Sequence, residues 1–168
     1  MHSIWLMPEG ESLEPFQREH EALARQFSAP RFDLHLTLMG GRALAPEPLA
    51  AILPAIARGI GPFSAPATDI RGSEAFFQSY YALFEAAGPI LELKRRAMRL
   101  AADEDIGAFM PHVSLLYGPV EAGGKAAALA ASRQRLAGRM LCFRSVALAF
   151  SSDAIPVDQW RIESEVAL

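Results

Sequence analysis

The sequence predicts one domain of mixed α and β structure, and three observations lead there. Short apolar runs closed by Gly or Pro alternate with stretches whose apolar residues recur at helical spacing. At 168 residues the chain is long enough to bury one sizeable core. No linker interrupts the alternation: Gly123-Gly124 is too short for one and sits inside the strand–helix rhythm.

His2 to Met7 reads as a strand stopped by Pro8. Ser12 stands as an N-cap before a helix in which Leu13, Phe16, His20, Leu23 and Phe27 recur on one face. Leu34 to Met39 is a strand closed by Gly40-Gly41. Pro46 to Arg58 is a second helix, which Pro54 is expected to kink or shorten. Phe63 to Gly72 and Ala75 to Ala86 read as an antiparallel pair turning near Gly72-Ser73-Glu74. The aromatic run Phe76-Phe77-Gln78-Ser79-Tyr80-Tyr81 favours strand there. A helix from Pro89 to Ala102 carries Glu92, Lys94, Arg95, Arg96 and Arg99 on its polar face. Val113 to Tyr117 is a strand ended by Gly118-Pro119, and Ala126 to Leu136 is an Ala-rich helix. Leu141 to Phe150 and Val157 to Val166 close the chain as strands.

The formal net charge of −3 argues against gripping long nucleic acid through its backbone, which takes clustered cations. It leaves room for a small anion held by local donors. Cys142 is the sole cysteine, so no intrachain disulfide forms; it reads as core in Leu141-Cys142-Phe143. The amino terminus lacks a basic leader region, and no apolar run is long enough to span a bilayer. The expectation is a cytoplasmic monomer with no membrane partner.

Side chains alternate across a strand, so residues two apart share a face. His35 and Thr37 then point one way while Leu34, Leu36 and Leu38 point the other. His112 and Ser114 likewise lie opposite Val113 and Leu115. The two His-x-Thr/Ser units lie 77 positions apart (112 − 35), a weak internal echo that suggests two similar lobes facing each other. The other histidines lack the pattern: His2 is followed at i+2 by Ile4, and His20 by Ala22. Opening a cyclic phosphate needs a base for water and an acid for the departing oxygen. Imidazole, with an ordinary pKa of roughly 6.5, serves as either. Hydroxyls can donate to the non-bridging phosphate oxygens. A lone histidine on a half-buried strand is more often structural, and the duplicated unit is what lifts this pair above that reading. The competing chemistry is zinc bound by both histidines with Asp33 or Glu85. No His-Glu-x-x-His and no Cys pair supports it, and the hydroxyls would then have no role.

The two units resemble those of the 2H phosphoesterase superfamily, and within it the cyclic phosphodiesterase family of plants and yeast. Ser3-Ile4-Trp5-Leu6-Met7-Pro8 is similar to that family's first strand, and Ala29-Pro30-Arg31-Phe32 to its approach to the first histidine. Phe76-Phe77-Gln78 resembles its central aromatic strand, and Met110 to Tyr117 its second motif. Leu34 departs from the pattern, standing where proline is expected. The region from Gly40 to Ile70 matches nothing recognisable.

The resemblance implies an α+β, bilobal fold over residues 1–168, with two antiparallel sheets facing across a central cleft and helices outside. It implies metal-independent, cofactor-free hydrolysis of a small cyclic phosphate: ADP-ribose 1″,2″-cyclic phosphate, or nucleoside 2′,3′-cyclic phosphates opened to 2′-phosphates. His35 and His112 would be the catalytic pair, His112 as base and His35 as acid, with Thr37 and Ser114 binding phosphate. Trp5, Phe77, Tyr117 and Gln78 would contact substrate; core packing is the plain alternative for the aromatic three. Two other functions compete. One is an RNA 2′,3′-cyclic phosphodiesterase of the RNA ligase-like branch, whose RNA ends would be tracked by Arg95, Arg96 and Arg99 or by Arg133, Arg135 and Arg139. The other is a nucleotide-binding module without turnover.

Overall fold

The computed structural model describes residues 1–43, 45–101, 107–118 and 122–168. The expected helix end at Ala102 and the strand stop at Pro119 lie outside them. Among the described residues the strands are β1 (His2–Pro8), β2 (Leu36–Arg42), β3 (Phe63–Pro66), β4 (Asp69–Arg71), β5 (Tyr80–Leu83), β6 (His112–Leu116), β7 (Met140–Phe150) and β8 (Arg161–Ala167). The helices are α1 (Glu14–Phe27), α2 (Pro46–Ala57), α3 (Gly88–Leu100) and α4 (Ala122–Leu136). The chain is α+β, as expected.

All strand pairs are antiparallel, in the order β3-β7-β1-β2-β6-β5-β4, with β8 also on β7. The two expected sheets therefore meet edge to edge. The seam between them is narrow: β2 and β6 are in register at Leu36↔Val113 alone. The helices cross that seam. Helix α1 leaves β1 but packs on β6, while α3 leaves β5 and packs on β2 and α2. Beneath the sheet a single apolar cluster runs through both halves, with Leu36, Leu38, Val113, Leu115, Phe16 and Leu93 all fully buried. At roughly 1.5–3 kcal/mol per buried side chain, this continuous core is what holds the halves together.

Several elements differ from expectation, each for a tertiary reason. Ser12 does not cap α1; its Oγ accepts a hydrogen bond from the Cys142 N–H (2.8 Å), and a 3₁₀ turn, Glu11–Leu13, leads into the helix instead. Helix α2 runs on past Pro54 to Ala57. The run Phe63 to Gly72 is not one strand: β3 joins β7, then the chain crosses over and β4 joins β5. Nor is Phe76-Phe77-Gln78 a strand; it is a 3₁₀ turn. Its carbonyls are taken from outside any ladder. Phe76 O accepts from Gly118 N–H (2.9 Å) and Phe77 O from Ser114 Oγ (3.1 Å). Aromatic content signalled strand, but these bonds outweigh a propensity worth only about 1 kcal/mol. Gly72 is required at the exit of β4, because a Cβ there would stand 2.7 Å from Ser79 O.

Candidate active site

The histidines sit at the seam, each one residue before the pair that joins the halves: His35 precedes Leu36, and His112 precedes Val113. Both are held by the same local device. His35 Nδ1 lies 2.7 Å from Asp33 O, and His112 Nδ1 lies 2.9 Å from Met110 O. A carbonyl only accepts, so each Nδ1 carries the proton and each neutral ring keeps its lone pair on Nε2. The carbonyl two residues back thus fixes one tautomer at both positions and leaves both Nε2 atoms for a ligand. Leu34 in place of proline does not disturb this device.

All eight residues singled out in the sequence line one open cleft of about 430 Å³: His35, Thr37, His112, Ser114, Trp5, Phe77, Gln78 and Tyr117. That volume is in the range of small-molecule sites. Trp5, paired with Thr37 in the ladder, lies flat on the His35 ring, with centroids 3.7 Å apart and planes 12° apart. An indole face in that position favours the imidazolium. Tyr81 meets the His112 ring edge-on at 5.3 Å. Thr37 Oγ1 has no hydrogen-bond partner among the described residues and is available to a ligand, whereas the Ser114 hydroxyl is donated to Phe77 O. Burial pushes the Tyr117 phenol up to about 12, with the Ser114 hydroxyl working against it, so Tyr117 is a neutral wall.

Burial also decides the charge of the imidazoles. It lowers His35 to about 4, against the pull of the Asp33 carbonyl, with a further push from His112. His112 is lowered for the same first reason, again against its carbonyl. Burial alone therefore leaves both rings neutral near pH 7. An anionic phosphate reverses this. At an effective dielectric of about 20, a unit charge about 4 Å away contributes ~4 kcal/mol, or about three pKa units.

The depressed histidines give the fold a signature in acid. The unfolded chain takes up protons below an ordinary pKa of 6.5 while folded His35 holds out to about 4. The unfolded state binds more protons in that interval, so stability is full above it and falls as the pH drops through it. We expect His35→Gln to flatten the fall in melting temperature between pH 6.5 and 4 relative to the wild type. Parallel curves in scanning calorimetry would contradict the burial assigned to His35.

His20, without a hydroxyl partner at i+2, is structural. It is fully buried, its Nδ1 donates to Leu115 O (3.0 Å), and its Nε2 accepts from Phe32 N–H (3.3 Å). Phe32 in turn stacks on Tyr117 at 3.9 Å. Among the described residues no three His, Cys, Asp or Glu side chains gather as a metal site. Asp33 serves His35 through its carbonyl, and Glu85 is exposed.

Sequence reasoning missed one wall of the cleft. Trp160, Ser3, Ser151, Ser152 and Asp153 also line it. Trp160 is half-buried, within 6.0 Å of Trp5 and 5.8 Å of both Phe77 and Tyr117. Ser3 Oγ accepts from Gly41 N–H (3.0 Å) and from Ser151 Oγ (2.8 Å), tying the two ends of the chain together beside the site. The strand expected over Val157 to Val166 hid Trp160: Val157–Gln159 is a 3₁₀ turn and β8 begins only at Arg161, so the tryptophan ends a long connection rather than sitting inside a strand.

No family model matches the chain. A cyclic phosphodiesterase of Arabidopsis thaliana is 26% identical over 117 residues, 70% of this chain. The match spans 65% of the plant protein, just under two thirds of its length. Among solved structures, a Thermus thermophilus protein superposes with a TM-score of 0.64 at 20% identity, over 99% of this chain and 97% of the other. A phosphoesterase gives 0.63 at 15% identity, over the same shares of the two chains. Escherichia coli LigT complexed with 3′-AMP gives 0.61 at 16% identity, again over 99% and 97%. At these identities the structural likeness is one of fold.

Proposed function

We propose that the chain is a member of the 2H phosphoesterase superfamily, on its cyclic phosphodiesterase-like side, and that it hydrolyses small nucleotide cyclic phosphates by two-histidine acid–base catalysis without a metal. The observation that carries this reading is the matched pair of imidazoles, each pinned at Nδ1 and each offering Nε2 to one cleft. Water attacks phosphorus in line with the departing oxygen, and the base removes its proton. The P–O bond on the far side breaks, and the acid gives its proton to that oxygen. A nucleoside 2′,3′-cyclic phosphate leaves as the 2′-phosphate. Thr37 Oγ1 donates to a non-bridging oxygen directly, while Ser114 must first turn its proton away from Phe77 O.

The arginines bear on the choice between a small substrate and an RNA strand. Arg133 binds Asp69 and Ile70 O, Arg135 binds Glu19 bidentately, and Arg96 binds Glu92 and the carbonyls of Ile56 and Arg58. These guanidiniums hold the protein's own elements together, and none lines the cleft. That supports the small substrate. We expect turnover of a panel of cyclic phosphates, ADP-ribose 1″,2″-cyclic phosphate included, to be unchanged by EDTA, with phosphorus NMR assigning 2′-phosphates as the products of the nucleoside 2′,3′-cyclic phosphates. Loss of turnover on chelation, restored by zinc or manganese, would instead require a metal. Tight binding of the panel without turnover would make the protein a binding module.

A further inference from the structure

Ten residues, 151–160, join β7 to β8, although those strands are direct neighbours. A hairpin needs about two to five residues, so this connection is longer than the turn requires. The connection contains a 3₁₀ turn, Val157–Gln159. It contributes Ser151, Ser152, Asp153 and Trp160 to the cleft. It also forms most of a neighbouring apolar hollow with Phe76 and Phe77.

Trp160 is only partly spent on packing: it lies against the small cluster of Trp5, Met7, Ala147 and Ala149 and still lines the cleft. Trp5 beside it is 3% exposed, whereas Trp160 is half-buried with its ring on the cleft. Its Nε1–H donates to Ser152 O (3.2 Å), which fixes the indole's orientation. Phe77 lies nearly parallel to it, 19° apart in plane at 5.8 Å, and braces the ring. The His35 ring is 6.4 Å away. The cleft thus has a rigid flat aromatic wall close to the atoms that would hold phosphate. In a nucleoside 2′,3′-cyclic phosphate the base leaves the sugar away from the phosphate and presents a flat π-face to such a wall.

Asp153 stands at the rim of the same wall, exposed and shared with the apolar hollow. A carboxylate accepts hydrogen bonds and donates none. The ribose diol cannot supply its donors, because both hydroxyls are esterified in the cyclic phosphate. The base can. Guanine offers two adjacent donors, N1–H and the 2-amino group, matched to two carboxylate oxygens. Adenine and cytosine set an acceptor nitrogen beside their amine, and uracil flanks its one N–H with two carbonyls, so each turns a lone pair toward the carboxylate.

Resting on the function proposed above, we infer that residues 151–160 form the base-recognition wall, in which Trp160 stacks the nucleobase and Asp153 selects guanine. The test is steady-state kinetics with the four nucleoside 2′,3′-cyclic phosphates and a base-free ribose 2′,3′-cyclic phosphate. The variants are Trp160→Ala, Trp160→Phe and Asp153→Asn. The guanosine substrate is expected to lead by about tenfold in kcat/KM, and Asp153→Asn, at an exposed position, to erase that lead. Trp160→Ala is expected to raise KM for all four by about 5- to 150-fold with kcat little changed, and Trp160→Phe to restore most of the loss. A guanine preference that survives Asp153→Asn overturns the role of Asp153. Equal kcat/KM for the base-free and the four nucleotide substrates overturns the wall and leaves the proposed function standing. No turnover of any cyclic phosphate overturns both. A Trp160→Ala protein that fails to fold leaves the Trp160→Phe comparison to decide, since loss of kcat rather than KM there contradicts stacking.

Discussion

His35→Ala and His112→Ala are each expected to lower turnover of a nucleoside 2′,3′-cyclic phosphate by about 10²–10⁴-fold, the contribution of one positioned proton-transfer group. Thr37→Ala and Ser114→Ala remove one hydrogen bond to a charged oxygen, worth roughly 1.5–3 kcal/mol, and should cost less. The two hydroxyls are not equivalent. Thr37 Oγ1 has no partner to give up among the described residues, whereas Ser114 exchanges its bond to Phe77 O for one to phosphate. Thr37→Ala should therefore show the larger loss in kcat/KM. The double variant His35→Ala/His112→Ala should lose far less than the product of the single effects, since the two rings act as a unit. Small and equal losses at all four positions in the same assay would leave the acid–base scheme without support.

The pH–rate profile should be bell-shaped, and its position should depend on which constant is read. In the free protein, burial holds both imidazoles below 6.5, His35 at about 4. The catalytic form carries one proton between them, so kcat/KM should peak in that acidic interval. Bound phosphate stabilises imidazolium, so the limbs of kcat should lie at higher pH. The apparent values belong to the pair rather than to either ring. Burial also ranks the rings, because the more deeply buried His35 is the harder to protonate. The assignment of His35 as acid and His112 as base therefore requires the substrate's charge, with the Trp5 face behind the ring, to draw the proton onto His35. A substrate with a much better leaving group needs no acid, and it should rescue His35→Ala but not His112→Ala. Rescue of His112→Ala instead would exchange the two roles. Coincident optima for kcat and kcat/KM would show that bound phosphate does not move the protons.

What could be read from the sequence is what a strand encodes over three or four residues. The alternation in Leu34-His35-Leu36-Thr37-Leu38 and in His112-Val113-Ser114-Leu115 put the polar residues on one face and the core on the other. Trp5 and Tyr117 were reachable through the family resemblance of the segments that carry them, Ser3 to Pro8 and Met110 to Tyr117. Trp160 and Asp153 were not, because they come to the cleft only when β7 pairs with β1 and turns β8 back along it. The split of residues 63–71 between two partners was likewise invisible, since it depends on β7 and β5, strands far apart in sequence. The aromatic run at Phe76 misled for the opposite reason. Its local preference is for strand, and the bonds that override it come from Ser114 and Gly118, about forty residues on.

The crossed helices give the chemistry a dependence on residues that never see the substrate. Leu36 lies between His35 and Thr37 and faces away from them, in the apolar layer that also holds Val113. The two imidazoles belong to different half-sheets, so the gap across which a phosphate must fit is spanned by no local element. It is gauged from behind, by how closely those buried side chains mesh. Leu36→Ala would cost about 2–5 kcal/mol of stability by opening a cavity there. If the halves settle inward to fill it, the rings come to the wrong spacing as well, and in-line attack tolerates little such error. The mounting for the two histidines is the interior of the protein, and hydrophobic residues on the far side of the sheet act as the gauge block of the reaction.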